Sequence, residues 1–140
     1  MRHTKPVEVL LVEDNSGDIL VVKHAIARER FPVSIRVAVD GEQAIDLLAR
    51  RHFDPDLVIL DLTLPKVDGL TVLERAHPNV PVVVFSSSAS SADIQRSFEL
   101  GVKDFIPKPT DLDDYSRVVC FMVRKWGAEA GLVEAPEARF

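Results

Sequence analysis

The amino-acid sequence predicts an α/β fold built on a mostly parallel sheet of five strands, and two features support this prediction. Two segments, residues 57–65 and 80–85, are almost continuously apolar, which is typical of strands buried on both faces inside a parallel sheet. Strand-like segments also alternate along the chain with segments whose apolar residues recur at helical spacing. Such alternation is the pattern of parallel strands joined by right-handed helical crossovers.

Each element follows from a local pattern. Ile19, Val22 and Ile26 recur at helical spacing after the first strand, which predicts the first helix. The second strand alternates apolar and polar residues, as expected at a sheet edge, and Pro107 predicts that the last strand forms the other edge, because proline cannot donate to a strand ladder. Gly101 is expected to end the fourth helix in a left-handed conformation. The predicted strands are 7–12, 34–39, 57–65, 80–85 and 104–107, and the predicted helices are 18–30, 42–51, 70–76, 91–100 and 112–126.

The length and composition predict one globular domain. A chain of 140 residues is large enough for one hydrophobic core and too small for two. We assign residues 1–126 to this domain and residues 127–140, which lack periodicity, to a C-terminal tail. No apolar run is long enough to span a bilayer and the start does not resemble a signal peptide, so we expect a cytoplasmic protein without a membrane partner.

Charge and cysteine content exclude two further kinds of site. The 17 basic side chains are scattered among 22 acidic ones, with a net charge of −5, whereas a nucleic-acid-binding surface needs clustered Lys and Arg. Cys120 is the single cysteine, so an internal disulfide and a cysteine-built metal site are excluded.

Polar side chains occur where four of the predicted strands end. Asp61 interrupts the apolar run 57–65, and an unpaired carboxylate inside a sheet would cost several kcal/mol, so it is expected at the end of the strand. Glu13 and Asp14 follow the first strand, Ser86 the fourth and Lys108 the fifth. Because function in open α/β sheets lies outside the carboxyl ends of the strands, we expect these five side chains to lie together.

This set of side chains suits phosphoryl transfer to a carboxylate. Three carboxylates at one rim repel one another and need a cation, and oxygen ligands with open positions suit Mg²⁺. A lysine supplies positive charge to a phosphate and a serine hydroxyl supplies a hydrogen bond. An aspartate is ionised at neutral pH, so it can act as a nucleophile without a base.

Taken singly, each of these residues has a commoner structural explanation. Glu13 and Asp14 would more often form a cap and a turn, Ser86 would end a strand, and Lys108 would be a solvated lysine. Phe105 would be a core residue. It is the combination at successive strand ends that favours a site.

With these motifs in place, residues 7–125 resemble the receiver domain of the CheY-like response regulators of two-component signalling. The resemblance implies a doubly wound, flavodoxin-like sheet of strand order 2-1-3-4-5. It also implies that Asp61, in the segment Ile-Leu-Asp-Leu, is the phosphoacceptor. Asp14 would bind Mg²⁺ directly and Glu13 through water, and the backbone carbonyl of Thr63 would complete the protein ligands.

The resemblance further implies a switch beside the phosphoacceptor. Ser86 takes the position of the switch hydroxyl and Phe105 that of the switch aromatic residue. Lys108 takes the position of the phosphate-binding lysine, and a cis peptide bond is expected between it and Pro109.

Partners are implied by the same resemblance. The segment Val-Glu-Asp-Asn-Ser-Gly-Asp at 12–18, with no output domain after the receiver segment, is similar to single-domain regulators that partner bacterial phytochrome histidine kinases. A sensor histidine kinase would donate the phosphoryl group. The face formed by the fourth helix, fifth strand and fifth helix would then bind a partner or a second copy. No enzymatic activity is expected beyond self-phosphorylation and self-dephosphorylation.

Two alternatives belong to other functional classes. A pseudo-receiver would keep the fold as an interaction module without phosphorylation, but such modules usually lack one of the residues equivalent to Asp14, Asp61 and Lys108. The segment Asp61-Leu62-Thr63 superficially resembles the signature of haloacid dehalogenase-type phosphatases. Those enzymes carry the nucleophile on the first strand and usually an acidic residue two positions later, where this chain has Thr63.

Overall fold

The structure, a computed structural model, describes residues 5–87 and 89–134. These residues form one five-stranded parallel sheet of order β2-β1-β3-β4-β5 with five helices, which confirms the predicted fold class and strand order. The strands are β1 (Val7–Val12), β2 (Val33–Ala38), β3 (Leu57–Leu60), β4 (Val82–Ser86) and β5 (Asp104–Pro107). The helices are α1 (Ser16–Ala27), α2 (Gly41–Leu48), α3 (Gly69–Ala76), α4 (Ser91–Glu99) and α5 (Leu112–Glu129).

The strand positions follow from the sequence patterns. β1, β3 and β4 are central and nearly all of their residues are buried, in agreement with their apolar composition. β2 lies at one edge and its exposed residues alternate with half-buried ones. β5 lies at the other edge and ends with Pro107, as predicted from the proline.

Two hydrophobic layers cover the sheet, because successive strand side chains point to opposite faces. Leu11 and Ile59 belong to the layer that packs against α1 and α5. Leu10 and Leu60 belong to the layer on the opposite face, which includes residues of α2 and α3. Both faces of the central strands are therefore shielded from solvent, and this burial holds the carboxyl ends of the strands in fixed positions.

The C-terminal helix is longer than predicted. α5 continues through Glu129, three residues beyond the predicted end at Trp126, and therefore enters the segment that we assigned to a tail. Gly127 is buried, and a Cβ built on it would lie 3.0 Å from Cγ2 of Val7. A glycine, which usually weakens a helix, here allows the helix to pack closely on β1. Leu132 and Val133 then pack against the same layer; residues 135–140 of the predicted tail lie outside the described residues.

None of the helices in the described part of the chain has the length and apolar content needed to cross a membrane.

Candidate functional site

The carboxylate of Asp61 lies directly after β3, at the carboxyl edge of the sheet, and is only 7% exposed. Its Oδ1 accepts hydrogen bonds from the amide of Thr63 at 3.0 Å and from Oγ of Ser86 at 2.8 Å. Its Oδ2 lies 2.9 Å from Nζ of Lys108. Both oxygens are therefore paired, which explains how a carboxylate can follow a fully buried strand.

Lys108 follows β5 and places its ammonium group among three carboxylates. Its Nζ lies 2.7 Å from Oε1 of Glu13, 2.9 Å from Oδ2 of Asp61 and 3.3 Å from Oδ2 of Asp18. Burial would lower the pKa of Lys108, but hydrogen bonds to Glu13 and Asp61 and the charges of both carboxylates outweigh it, so the pKa is raised. The site therefore contains a fixed positive charge beside Asp61.

Glu13 follows β1 and is 2% exposed. Its Oε1 accepts from Lys108 and its Oε2 accepts from the amide of Asn15 at 3.1 Å. Burial raises the pKa of Glu13 to about 7, although the hydrogen bond and charge of Lys108 act in the opposite direction. Glu13 is consequently a carboxyl group whose protonation changes near neutral pH.

Asp14, by contrast, is exposed. Neither Glu13 nor Asp14 serves as the helix cap, because the side chain of Asn15 accepts from the amide of Asp18 and caps α1. Among the described residues, no hydrogen bond or ion pair holds the Asp14 carboxylate. Its oxygens are thus free of protein partners in the part of the chain that the structure describes.

The carboxylates of Glu13, Asp14 and Asp61 are ligand types that Mg²⁺ prefers, but they are not arranged as a complete coordination site. Within the described residues, no three His, Cys, Asp or Glu side chains are grouped closely enough to hold a metal ion. Lys108 instead bonds to Glu13 and Asp61. Since Mg²⁺ is usually held by one or two carboxylates and retains several waters, the free oxygens of Asp14 and the carboxylates of Asp61 and Glu13 are ligands of the kind that this ion takes.

Ser86 and Phe105 lie on neighbouring strands at the same edge. Ser86 ends β4 and is buried, with its hydroxyl on Asp61. Phe105 is half-buried in β5 and packs against the layer on the α2 and α3 side of the sheet. Both residues line one cavity of about 410 Å³. Phe105 is thus a neighbour of the serine and not a member of the charged cluster.

The predicted cis peptide bond is wrong. The bond between Lys108 and Pro109 is trans, as are all peptide bonds among the described residues. The backbone amide of Lys108 donates to the carbonyl of Ser86 at 3.0 Å, so the lysine is held at the strand end by pairing with β4.

Sequence reasoning missed three residues of this region. Asp18, in the first turn of α1, contacts Lys108 and accepts a 2.6 Å hydrogen bond from the hydroxyl of Tyr115 in α5. The signal that could have found Tyr115 is its polar tip, since a buried tyrosine hydroxyl usually has a hydrogen-bond partner. Gly69 begins α3 so close to β3 that a Cβ on it would lie 2.8 Å from the carbonyl oxygen of Asp61.

Comparisons with known proteins agree with this geometry. The family model described as the response regulator receiver domain matches residues 9–119. The probable methanogenesis regulatory protein FilR2 of Methanothrix harundinacea is 35% identical over 131 residues, which cover 86% of this chain and 84% of FilR2. The transcriptional regulatory protein CpxR of Escherichia coli is 33% identical over 125 residues, 87% of this chain and 52% of CpxR. The chain therefore spans about half the length of CpxR.

Solved structures give the same assignment. The phosphorylated cyanobacterial phytochrome response regulator RcpA superposes with a TM-score of 0.80 at 33% identity, over 89% of this chain and 96% of RcpA. The bacteriophytochrome response regulator AtBRR superposes with a TM-score of 0.64 at 33% identity, over 96% of this chain and 99% of AtBRR. The chain therefore belongs to the response regulator receiver domain family of two-component signalling, and it shares the CheY-like fold with regulators of phytochromes.

Proposed function

We propose that this receiver domain is a phosphorylation switch in which Asp61 accepts a phosphoryl group from the phosphohistidine of a sensor histidine kinase. The observation that carries the proposal is the set of donors on the Asp61 carboxylate, namely the hydroxyl of Ser86 at 2.8 Å and the ammonium of Lys108 at 2.9 Å. An acyl phosphate on Asp61 would need hydrogen bonds and positive charge near its oxygens, and the nearness of these two donors supports the proposal.

The chemical step requires little of the protein beyond orientation and charge. An oxygen of Asp61 attacks phosphorus, an O–P bond forms, and the N–P bond of phosphohistidine breaks, leaving its electron pair on the imidazole. The Asp61 carboxylate is paired with a cation and needs no base to become a nucleophile. Because β3 is fully buried, the nucleophile is held rigidly, and positioning of this kind supplies much of the catalysis in phosphoryl transfer.

Mg²⁺ is the cofactor that we propose for this site. Asp14 and Asp61 would hold it directly, Glu13 through water, and the backbone carbonyl of Thr63 would complete the set. When bound, the ion neutralises the negative charge that gathers as the phosphoryl group approaches three carboxylates. The form of the related regulator Rcp1 with bound Mn²⁺, 28% identical with a TM-score of 0.72, supports a divalent cation here.

The output of the switch would be a change at the α4, β5 and α5 surface. A phosphoryl group on Asp61 that accepts a hydrogen bond from Ser86 would draw this hydroxyl away from the cavity that Ser86 shares with Phe105. Phe105 could then turn inward and reshape that surface for a protein partner or a second copy of the chain. We propose that the kinase is of the phytochrome type, since RcpA and AtBRR are phytochrome regulators, and that the protein acts in the cytoplasm.

Phosphorylation of Asp61 can be tested by intact-mass measurement after incubation with acetyl phosphate and MgCl₂. Wild-type protein should gain one phosphoryl group, and Asp61→Asn should gain none. Asp46→Asn removes an exposed carboxylate in α2 and should behave as wild type. Phosphorylation of Asp61→Asn at the wild-type rate would contradict the proposal.

A second measurement separates the alternatives. If neither acetyl phosphate, carbamoyl phosphate nor a phosphorylated phytochrome kinase modifies the wild-type protein, the domain is a pseudo-receiver. Repeated turnover of a phosphate monoester by wild type, lost in Asp61→Asn, would instead indicate a phosphatase. The proposed switch predicts a single modification and no such turnover.

A further inference from the structure

Two side chains outside the strand ends connect the buried ammonium of Lys108 to helix α5. Oδ2 of Asp18 lies 3.3 Å from Nζ of Lys108. Oδ1 of the same carboxylate accepts a 2.6 Å hydrogen bond from the hydroxyl of Tyr115. Asp18 is therefore held from one side by the amine and from the other by a residue 97 positions away in the chain.

Tyr115 is a rigid anchor for this contact. It is 5% exposed and belongs to the hydrophobic layer between the sheet and α1 and α5. Its ring packs edge-on against Phe85, with centroids 5.0 Å apart and an interplanar angle of 71°. Phe85 directly precedes Ser86 on β4, so one tyrosine contacts both the neighbour of the serine and the partner of the lysine.

We propose that Asp18 is a positioning residue for Lys108, and that Tyr115 fixes Asp18 so that helix α5 is coupled to the phosphoryl-binding amine. This inference rests on the proposed function for its effect on phosphorylation. The nitrogen Nζ of Lys108 lies within hydrogen-bond or ion-pair distance of all three carboxylates, those of Glu13, Asp61 and Asp18. Three acceptors around one ammonium group fix its direction more closely than two.

The same geometry makes the coupling reciprocal. When phosphoryl oxygens on Asp61 attract Lys108, the amine has to share its donors between these oxygens and Asp18. When its ion pair with Lys108 weakens, the Asp18 carboxylate becomes a stronger acceptor, and this changes the hydrogen bond that it receives from Tyr115 in α5. By linkage, a partner that favours the arrangement of Tyr115 found in the phosphorylated protein must also stabilise the acyl phosphate. A partner that favours the other arrangement must destabilise it.

A purely structural role for Asp18 provides the competing explanation. An acidic residue in the first turn of a helix stabilises it through the helix dipole, and Asp18 occupies such a position in α1. Asp113 also lies in the first turn of its helix, α5, one position closer to the N-cap than Asp18 is in α1, and it is exposed. Asp113→Asn is therefore a matched control that removes the same charge from the first turn of a helix without touching Lys108.

The kinetic test uses the full chain with acetyl phosphate and Mg²⁺, a donor that avoids any effect on kinase docking. Asp18→Asn and Tyr115→Phe should each slow acyl-phosphate formation by roughly fivefold, the lower range of coupling between sites, while Asp113→Asn matches wild type. Asp18→Glu, which keeps the charge, should recover part of the rate. Thermal unfolding of each variant shows whether a loss of rate accompanies a loss of folding.

A spectroscopic test examines the resting protein and does not depend on phosphorylation. In ¹⁵N-lysine-labelled protein, the buried Lys108 ammonium should give a sharp signal, identified by its absence in Lys108→Arg. This signal should broaden or shift in Asp18→Asn and stay unchanged in Asp113→Asn. Because the chain has a single tyrosine, a ¹³C label on its ring carbon Cζ reports Tyr115 alone, and its shift should change when beryllofluoride and Mg²⁺ are added.

The outcomes separate the two proposals. If wild type is never phosphorylated but the ammonium signal responds to Asp18→Asn, the proposed function fails and the positioning role stands. If wild type is phosphorylated while Asp18→Asn and Tyr115→Phe leave both the rate and the ammonium signal unchanged, the positioning role is wrong. A rate loss equal in Asp18→Asn and Asp113→Asn would assign the effect to the helix dipole and would also overturn it.

Discussion

The hydroxyl of Ser86 donates a 2.8 Å hydrogen bond to Oδ1 of Asp61 across 25 residues of chain. A second buried serine, Ser97 in α4, donates with the same length to the backbone carbonyl of Asp93. The two serines have similar burial and bond length, but only one of them contacts the candidate phosphoacceptor. They therefore form a natural pair for mutation.

Ser86→Ala should slow acyl-phosphate formation by about tenfold, because a hydrogen bond to a charged group contributes roughly 1.5–3 kcal/mol. Ser97→Ala should lower the midpoint of thermal unfolding and leave that rate unchanged. Rates from intact-mass time courses with acetyl phosphate, combined with thermal unfolding, check both. Equal rates in Ser86→Ala and wild type would contradict a role for this hydroxyl.

Lys108→Met should destabilise the fold, since it leaves the carboxylates of Glu13 and Asp61 buried without their cation. Breaking a buried pair by removing one partner costs roughly 3–5 kcal/mol. Lys103→Met, at an exposed position just before β5, is the control and should stay within about 0.5 kcal/mol of wild type. Chemical unfolding at pH 8 measures both.

The cost of Lys108→Met should also depend on pH. Glu13 has a pKa raised from 4.5 to about 7 in the folded protein, and loss of Lys108 would raise it further. When the pKa of a carboxyl group is higher in the folded protein than in the unfolded chain, the folded protein loses stability as the pH rises above the unfolded pKa. The difference in unfolding free energy from wild type should therefore be smaller at pH 5 than at pH 8, and a difference that shrank toward pH 8 would contradict the burial of Glu13.

Tyr115→Phe should reduce the loss of unfolding free energy that the protein undergoes at alkaline pH. Burial raises the pKa of Tyr115 above its usual value of 10.0, and the hydrogen bond to Asp18 and the nearby negative charges act in the same direction. Above pH 10 the unfolded phenol ionises and the folded one does not, so folding loses about 1.4 kcal/mol for each further pH unit.

This effect is measured as the difference between wild type and Tyr115→Phe in urea unfolding at pH 8 and at pH 11. At pH 8 the variant should be less stable by about 1 kcal/mol, because it loses one hydrogen bond. By pH 11 that difference should shrink or reverse. Other groups that titrate at high pH, such as Cys120, are present in both proteins and cancel. A constant difference would show that Tyr115 ionises freely.

Gly69→Ala should disturb both folding and the candidate site. Its Cβ would lie 2.7 Å from Cα of Leu62 and 2.8 Å from the carbonyl oxygen of Asp61, and backbone atoms cannot move aside as a flexible side chain can. We expect a loss of roughly 1–3 kcal/mol together with slower phosphorylation, as the segment after β3 is displaced.

Gly101→Ala is the control for Gly69→Ala. Gly101 has a φ of +96° and open space around its Cβ position, so alanine there is strained by roughly 1–2 kcal/mol without any contact to the site. It should lose stability and keep the wild-type phosphorylation rate. If both variants slowed phosphorylation equally, general destabilisation and not displacement of Asp61 would explain the result.

Much of this site was predictable because the apolar runs in the sequence show where the buried strands end. The bounds of β1 and β5 agree with the prediction, and the apolar runs around Asp61 and Ser86 identify central strands whose ends must meet. Glu13, Asp61, Ser86 and Lys108 indeed come together. Asp14 is exposed and takes no part in the hydrogen bonds of this cluster, because its position depends on how the chain turns into α1, which was not visible in the pattern.

The contacts that escaped prediction depend on packing between helices. The pairing of Asp18 with Tyr115 joins α1 to α5, and no sequence periodicity specifies which face of one helix meets a given residue of another. The end of α5 was underestimated for a similar reason, because Gly127 lowers helix propensity but fits against Val7. Propensity describes the isolated helix, whereas tertiary packing decides where it stops.

The register of the central strands has one further consequence. Val12 pairs with Leu60, and Leu60 pairs with Val84, so Glu13 and Asp61 each follow a residue on one line across the sheet. Because alternate side chains point to opposite faces, a slip of β3 by one residue would present a leucine where Asp61 now lies. A molecule whose sheet has the wrong register would thus not be phosphorylated. The fraction of molecules that accept a phosphoryl group would therefore measure the fraction that has folded with the native register.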